Sequence, residues 1–354
     1  MAGMNDLRTG YSYGDVMLVP QRSPVDSRSD VDLSTPLTTG IDLETPLLSA
    51  AMDTVTESEA AIALSAAGGL GVIHRFLTAE EQAAEVLRVV EAGERCGAAV
   101  GIAEDAVART DALWSAGVDV VVIDVAHGHM ERCLDAVERL TSEFPDIELV
   151  AGNVATPEGA ADLAAAGADA VKVGIGPGSH CTTRKVAGVG VPQLTAVDDC
   201  SNAAHEQGVP VVADGGIRSS GDAVKALMAG ADTVMMGSLF AGTDEAPTEI
   251  VEVDGTKYKR SRGMATTAAN ESRSDKDVDP EADEGVEALT EYKGPLSDVA
   301  AEFAAGVRSG LSYCGGHTIE AARENAEFIE IQQAAKEREG AHGDHDWEIP
   351  TVEN

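Results

Sequence analysis

The sequence predicts an α/β protein built as a closed parallel (β/α)8 barrel, and three observations carry that expectation. Eight short apolar runs recur at intervals of roughly 20 to 35 residues, room for one strand, one helix and their loops. Alanine-rich segments opening on capping residues fill the intervals. The carboxylates, glycines and polar clusters fall where the apolar runs end, which is where a barrel keeps its chemistry.

Taken in order, the chain starts irregularly and then gives strands at 46–51, 70–73, 98–102, 118–125, 149–154, 170–175, 210–213 and 233–236. Helices are predicted at 58–67, 80–90, 130–140, 157–166 and 221–229. Thr78 before Glu80-Glu81 and Thr156 before Pro157-Glu158 are N-cap signals. An open doubly wound sheet is the alternative, but no G-x-G-x-x-G follows the first strand. Beyond the eighth strand, residues 265–290 turn Asp/Glu/Ser-rich and lose periodicity. A stretch of that length in a compact domain is either unstructured or a functional lid. Helical patterning returns at 297–308 and 319–336, and a polar tail occupies 337–354. The whole chain, 1–354, reads as one barrel domain.

The chemistry clusters at the predicted strand ends. Strand one runs into Met52-Asp53-Thr54, strand four into Asp124 and His127-Gly128-His129, and strand five ends near Asn153. Strand six opens the loop Gly174-Ile175-Gly176-Pro177-Gly178-Ser179-His180-Cys181-Thr182-Thr183-Arg184. Its alternating glycines allow sharp turning and close approach to a ligand. Its cysteine is either an activated nucleophile or a small buried hydrophobe. Strands seven and eight end in Asp214-Gly215-Gly216 and Gly237-Ser238. There glycines and a serine make either tight turns or a phosphate cradle of backbone N–H groups.

Composition bounds the function. Asp and Glu number 61 against 25 Lys and Arg, for a formal charge of -36. Such a surface repels nucleic acid and anionic membranes, so neither is expected as a partner. The acidity is spread along the chain, and lysine is scarcer than arginine. Both suit a high-salt cytosol in which self-repulsion is screened. Five widely spaced cysteines without a C-x-x-C pair argue against a disulfide framework or a zinc site. No basic-then-apolar leader or long uncharged run appears, so a cytoplasmic protein is expected. His74, His205 and His317 lack metal-ligand spacing and read as structural.

Five strings carry a resemblance to a known family. They are Asp15-Val16-Met17-Leu18-Val19-Pro20, Ser49-Ala50-Ala51-Met52-Asp53-Thr54-Val55-Thr56-Glu57, the cysteine loop 174–184, Gly188-Val189-Gly190-Val191-Pro192-Gln193-Leu194 and Ala213-Asp214-Gly215-Gly216-Ile217-Arg218. Over roughly residues 11–350 the chain resembles the IMP dehydrogenase/GMP reductase family. The resemblance implies a TIM barrel that assembles as a homotetramer or homo-octamer. Many members insert paired regulatory CBS modules after the second helix. Here Val90-Glu91-Ala92-Gly93-Glu94-Arg95-Cys96-Gly97 passes straight to strand three, so no CBS insertion is expected.

Carried over residue by residue, the resemblance makes Cys181 the nucleophile that attacks C2 of the purine. Thr183 and Glu284 become the pair handling proton transfer. Ser179, Gly216, Gly237 and Ser238 would hold the 5′-phosphate, Asp214 the ribose, and Met52 and Met264 would belong to the nucleotide site. Asp124, Asn153 and Lys172 would line the nicotinamide side. The carbonyls of Gly176, Gly178 and Cys181 would correspond to a monovalent-cation (K+) site.

Two activities share this frame. The dehydrogenase converts IMP to XMP with NAD and needs a flap Arg-Tyr pair to activate water. The reductase converts GMP to IMP and ammonia with NADPH and does not. The corresponding place here reads Ser274-Asp275-Lys276-Asp277-Val278, and Ser261 stands where many relatives have a phosphate-binding tyrosine. His127-Gly128-His129 and the tail are dehydrogenase-like. The missing base weighs more, so the expectation is an NADP(H)-dependent GMP reductase, with the NAD-dependent IMP dehydrogenase as alternative. A catalytically idle nucleotide-binding regulator is the minor alternative. His180, in place of a common aliphatic residue, either lowers the thiol pKa or points away. Lys276, flanked by Asp275 and Asp277, is expected to stay charged rather than act as base.

Overall fold

Each of the eight apolar runs becomes a strand: β1 (Leu47–Ser49), β2 (Leu70–Ile73), β3 (Cys96–Val100), β4 (Val120–Asp124), β5 (Glu148–Val154), β6 (Ala170–Val173), β7 (Val211–Asp214) and β8 (Thr233–Met236). The structure, a computed structural model, describes residues 7–264, 285–332 and 335. The strands are parallel and neighbour one another in chain order. β8 closes on β1, with Val234 opposite Leu47 and Met236 opposite Ser49. The expected barrel is thus present.

Alternation along the strands divides the core in two. On β4, Val120 and Val122 join Leu48, Leu70, Val72, Ala99, Val150, Val212 and Met235 in the barrel interior. Val121 and Ile123 join the larger layer between strands and helices. That layer is covered by α1 (Ser58–Ala66), α2 (Ala79–Glu91), α3 (Ala106–Ala116), α4 (Glu131–Glu143), α5 (Pro157–Ala165), α6 (Gln193–His205), α7 (Ser220–Met228) and α8 (Leu296–Tyr313). The predicted caps form. Thr78 Oγ1 accepts from Glu81 N at 3.1 Å while Glu81 Oε2 accepts from Thr78 N at 3.0 Å, and Thr156 Oγ1 accepts from Gly159 N at 3.2 Å. Each such cap stabilises by about 1 kcal/mol. From α2 the chain reaches β3 through Ala92-Gly93-Glu94-Arg95, with no inserted module.

A short hairpin, Thr35–Pro36 paired with Asp42–Leu43, adds Leu37 and Leu43 to the barrel-interior cluster. Thr39 Oγ1 bonds Asp169 just before β6, which places this plug at the N-terminal mouth. The C-terminal mouth is the one left for a ligand.

Two expectations need correction. Residues 265–290 are not one loop, because β11 (Glu287–Glu291) pairs antiparallel with β10 (Thr256–Arg262). β10 in turn pairs with β9 (Ile250–Val253). This sheet has mixed, charged faces, so no apolar run announces it. Its one sequence signal is Asp254-Gly255, both at positive φ (51° and 81°), a two-residue turn suited to a hairpin. Helix 319–336 is also too long. The helix covers Ile319–Glu324, and Phe328–Glu330 instead pairs with Val16–Leu18. Phe328-Ile329 favours strand over helix, and Asn325 sits at the helix end. The stretches 265–284 and 336–354 of the predicted lid and tail lie outside the described residues.

Candidate active site

The strand ends converge on a cleft of about 430 Å³ at the C-terminal mouth. Met52 follows β1, Asp124 ends β4, and Asn153 lies on β5. The loop 174–181 with Thr183 follows β6, Asp214-Gly215-Gly216 ends β7, Gly237-Ser238 ends β8, and Met264 follows β10. The structure brings these sequence-predicted residues to one place, with Lys172, predicted alongside them, lying beneath. Glu284 is the exception in kind, lying outside the described residues.

The thiols separate cleanly by environment. Cys96, Cys133, Cys200 and Cys314 are buried. Burial pushes their pKa values up, to about 12, about 11 and about 12 for the first three. Cys181 is only half-buried and lines the cleft. Its Sγ lies 3.1 Å from Thr183 Oγ1, and its N–H donates to Gly178 O at 3.1 Å. Arg184 ties the loop down by donating to Ile175 O at 3.1 Å and Val191 O at 2.6 Å.

Ser179 Oγ and Ser238 Oγ stand 3.4 Å apart across the cleft. Gly215 and Gly216 beside them have φ of +88° and +79°, a backbone only glycine adopts freely. A Cβ on Gly237 would meet Met52 Sδ at 2.7 Å. Two hydroxyls and close-approaching backbone N–H groups form a concavity suited to a phosphate. Lys293 braces it from behind by donating to Ser238 O at 3.1 Å and Leu239 O at 2.8 Å. Sequence reading missed this residue, because its sheet was not foreseen.

The floor is polar. Lys172, 1% exposed, donates to Asp124 Oδ1 at 2.7 Å, to Asp214 Oδ2 at 2.7 Å and to Asn153 Oδ1. Asn153 Nδ2 donates to Gly174 O at 2.7 Å and Asp214 Oδ2 at 2.9 Å. Burial alone would lower the Lys172 pKa, but the two carboxylates outweigh it and raise the value. Burial alone would raise Asp124, and Lys172 instead holds it below its ordinary value. Lys172 thus underlies the cleft rather than lining it. Each aspartate bonds the lysine through one oxygen, and both aspartates line the cleft.

Other candidates fall elsewhere. His129 pairs with Asp162 at 2.8 Å, and neither it nor His127 lines the cleft. His74 (3% exposed) accepts from Phe76 N, and His205 bonds Asp232 at 2.7 Å, so both are structural as expected. His180 turns its ring from the thiol to Ser261 at 2.9 Å. Burial lowers its pKa, so it is no cationic partner for Cys181. Arg75 and Phe76 line the wall after β2 and were missed. Their only signal was position at a strand end.

The sequence pattern of the IMP dehydrogenase / GMP reductase domain matches residues 10–342. The chain belongs to that family. An inosine-5′-monophosphate dehydrogenase of Nitrosopumilus maritimus is 37% identical, the match covering 93% of this chain and 97% of that protein. Their alignment runs over 462 positions, longer than this chain, so the relative carries segments with no counterpart here. A GMP reductase of Leishmania donovani is 33% identical over 97% of this chain and 99% of its own length. Among solved structures, a cysteine-to-alanine variant of the GMP reductase of Trypanosoma brucei, in complex with guanosine 5′-monophosphate, superposes with a TM-score of 0.92. It is 31% identical and is covered over 97% of this chain and 100% of that one.

Members of the IMP dehydrogenase/GMP reductase family are oxidoreductases that use nicotinamide cofactors. The cleft fits such a group. Asp124 brings a carboxylate to the cleft, with the Arg75 guanidinium near it, and Phe76, Ala51 and Met52 offer an apolar wall. Asn153 has both amide hydrogens and its oxygen engaged by protein, so it shapes the wall rather than reaching a ligand. The expected cation site involves the carbonyls of Gly176, Gly178 and Cys181. Gly178 O accepts from Cys181 N at 3.1 Å and keeps a second lone pair, and no step below uses an ion. Among the described residues no helix is long and apolar enough to cross a membrane.

Proposed function

We propose that the chain is a GMP reductase, catalysing the reductive deamination of GMP to IMP and ammonia through a covalent Cys181 adduct. The observation that carries the choice is Lys276-Asp277 where a dehydrogenase would carry its water-activating Arg-Tyr. A general base contributes typically 10²–10⁴-fold, so an adduct without one hydrolyses slowly.

Ser179, Gly216, Gly237 and Ser238 bind the 5′-phosphate, and Asp214 accepts from the ribose hydroxyls. Met52 and Met264 flank the base and set C2 over Cys181. The Cys181 thiolate attacks C2, and the C2–N bond breaks as the amino group leaves protonated as ammonia. Thr183, 3.1 Å from the sulfur, relays that proton together with Glu284. NADPH bound on the Asp124 side would supply the hydride that forms the new C2–H bond. The C2–S bond then breaks, and the electron pair returns to Cys181.

Relatives of both names match almost the whole chain, 37% identical for the dehydrogenase and 33% for the reductase, so overall similarity does not choose between them. The second reading, NAD-dependent IMP dehydrogenase, is favoured by His127-Gly128-His129. A spectrophotometric comparison of GMP plus NADPH with IMP plus NAD, in molar-salt buffer, tests the choice. Oxidation of NADPH with release of IMP supports the reductase. XMP formation at many turnovers per second, with GMP ignored, overturns it. Assembly as a homotetramer or homo-octamer belongs to the same proposal and is read by light scattering.

A further inference from the structure

His180 sits between the two side chains of its loop that face the ligand, Ser179 and Cys181, yet it bonds neither. Its ring is 9% exposed and places Nε2 2.9 Å from Ser261 Oγ, on a residue 81 positions away and 1% exposed. Ser261 Oγ lies in turn 2.8 Å from Thr290 Oγ1 and 3.4 Å from Ala288 O. The backbone repeats the attachment: Val286 N donates to His180 O at 2.9 Å, and Cys181 bridges Gly285. The nucleophile loop is thereby held to both β10 and β11.

A neutral imidazole and two hydroxyls complete this chain in either direction, each group donating once along it. The side-chain contact is buried, and removing Ser261 Oγ would take from the imidazole Nε2 its partner, whereas Ser261 keeps Thr290 and Ala288 O if the imidazole goes.

We infer that His180 is a positioning residue: through Ser261 and Thr290 it fixes the height and aim of Cys181 and Ser179 against the paired strands β10 and β11. The inference rests on Cys181 being the nucleophile. A thiol displaced by about 1 Å costs on the order of 100-fold, so the expected loss falls in kcat rather than KM.

The test uses the full-length chain in molar-salt buffer as wild type, His180→Ala, His180→Gln, Ser261→Ala and the double alanine variant. Iodoacetamide alkylation of Cys181, located by peptide mapping, reads the thiol without any substrate. Steady-state kinetics with GMP plus NADPH and IMP plus NAD reads the reaction. His180→Ala and Ser261→Ala should each lower kcat by about 10- to 100-fold with KM changed less than about threefold, and change the alkylation rate by at least about threefold. Glutamine, whose amide reaches the Nε2 position, should restore much of both. The double variant should lose little beyond either single, as expected for one shared contact. Full kcat and alkylation rate in both single variants, losses that multiply in the double, or glutamine no better than alanine, would each overturn the inference. If His180→Ala fails to fold, His180→Gln and Ser261→Ala decide. Wild type inactive with both substrate pairs, but with alkylation contrasts as expected, removes the functional reading and leaves this one standing.

Discussion

Lys172 Nζ lies 2.7 Å from Asp214 Oδ2, above a barrel interior packed with Leu48, Leu70, Val72, Val122, Val150 and Val212. The same ammonium holds Asp124, so a single cation ties the side proposed for ribose to the side proposed for nicotinamide.

Removing that cation strands two carboxylates. Lys172→Met should destabilise the fold by about 3 kcal/mol at pH 7, the low end for a broken buried pair because both aspartates touch the cleft. Wild-type Asp124 has a depressed pKa, so its contribution is present above the unfolded carboxylate range and lost on acidification. In the variant the stranded carboxylate is favoured when protonated. The stability gap between the two proteins should therefore widen from pH 5 to pH 8 in urea titrations, and a gap flat with pH would count against the triad.

Cys181→Ala should abolish turnover while nucleotide affinity, measured by calorimetry, stays within about threefold. Losing a covalent route costs at least a few kcal/mol of barrier. A mutant keeping more than about a hundredth of the rate would show that the sulfur is not the nucleophile.

His180 gives a second pH signature. Burial lowers its pKa, so the folded state favours the neutral ring. The unfolded chain binds a proton first as pH falls below about 6.5, and stability contributed by the neutral ring is lost there. Between pH 7.5 and 5.5 the wild type should lose more melting temperature than His180→Gln, in which position 180 no longer titrates. Equal losses would mean that the imidazole carries no such linkage.

With a formal charge of -36, the protein should lose stability as ionic strength falls and the screening length grows from about 3 Å at 1 M to about 30 Å at 0.01 M. Calorimetric scans from molar to tens of millimolar salt should show a steadily falling melting temperature. A flat profile would remove the high-salt reading.

The reductase proposal has its own gain-of-function test. Replacing Lys276 with Arg and Asp277 with Tyr should raise XMP formation from IMP and NAD, by up to the 10²–10⁴-fold a general base contributes. No rise, with GMP reduction intact, would show that more than the base separates the two activities.

The barrel was legible because burial writes it into the chain. A strand covered on both faces must be apolar, and all eight runs from 46–51 to 233–236 correspond to strands. The site was legible to the extent that it hangs on strand ends. Ser179, Cys181, Asp214 and Ser238 were all found there. The β9–β11 sheet was not, since Lys257, Arg260 and Glu287 interrupt β10 and β11, and the apolar Ile250, Val253 and Leu289 stay exposed rather than joining a core. With it went the Lys293 and Ser261 contacts, which depend on a partner dozens of residues distant. No local pattern could foretell that Lys172 would sink beneath the cleft rather than reach into it.

The seam where β8 meets β1 has a bearing on how the molecule comes into being. Leu47 cannot meet Val234 until most of the polypeptide has been synthesised, and such long-range pairings form late. Met52 leaves one side of that seam and Gly237 the other, and both line the cleft. The nucleotide proposed for the cleft would bridge the two sides of this joint. During biogenesis it would act as a latch, so cells rich in its ligand should accumulate more of the mature protein than starved ones.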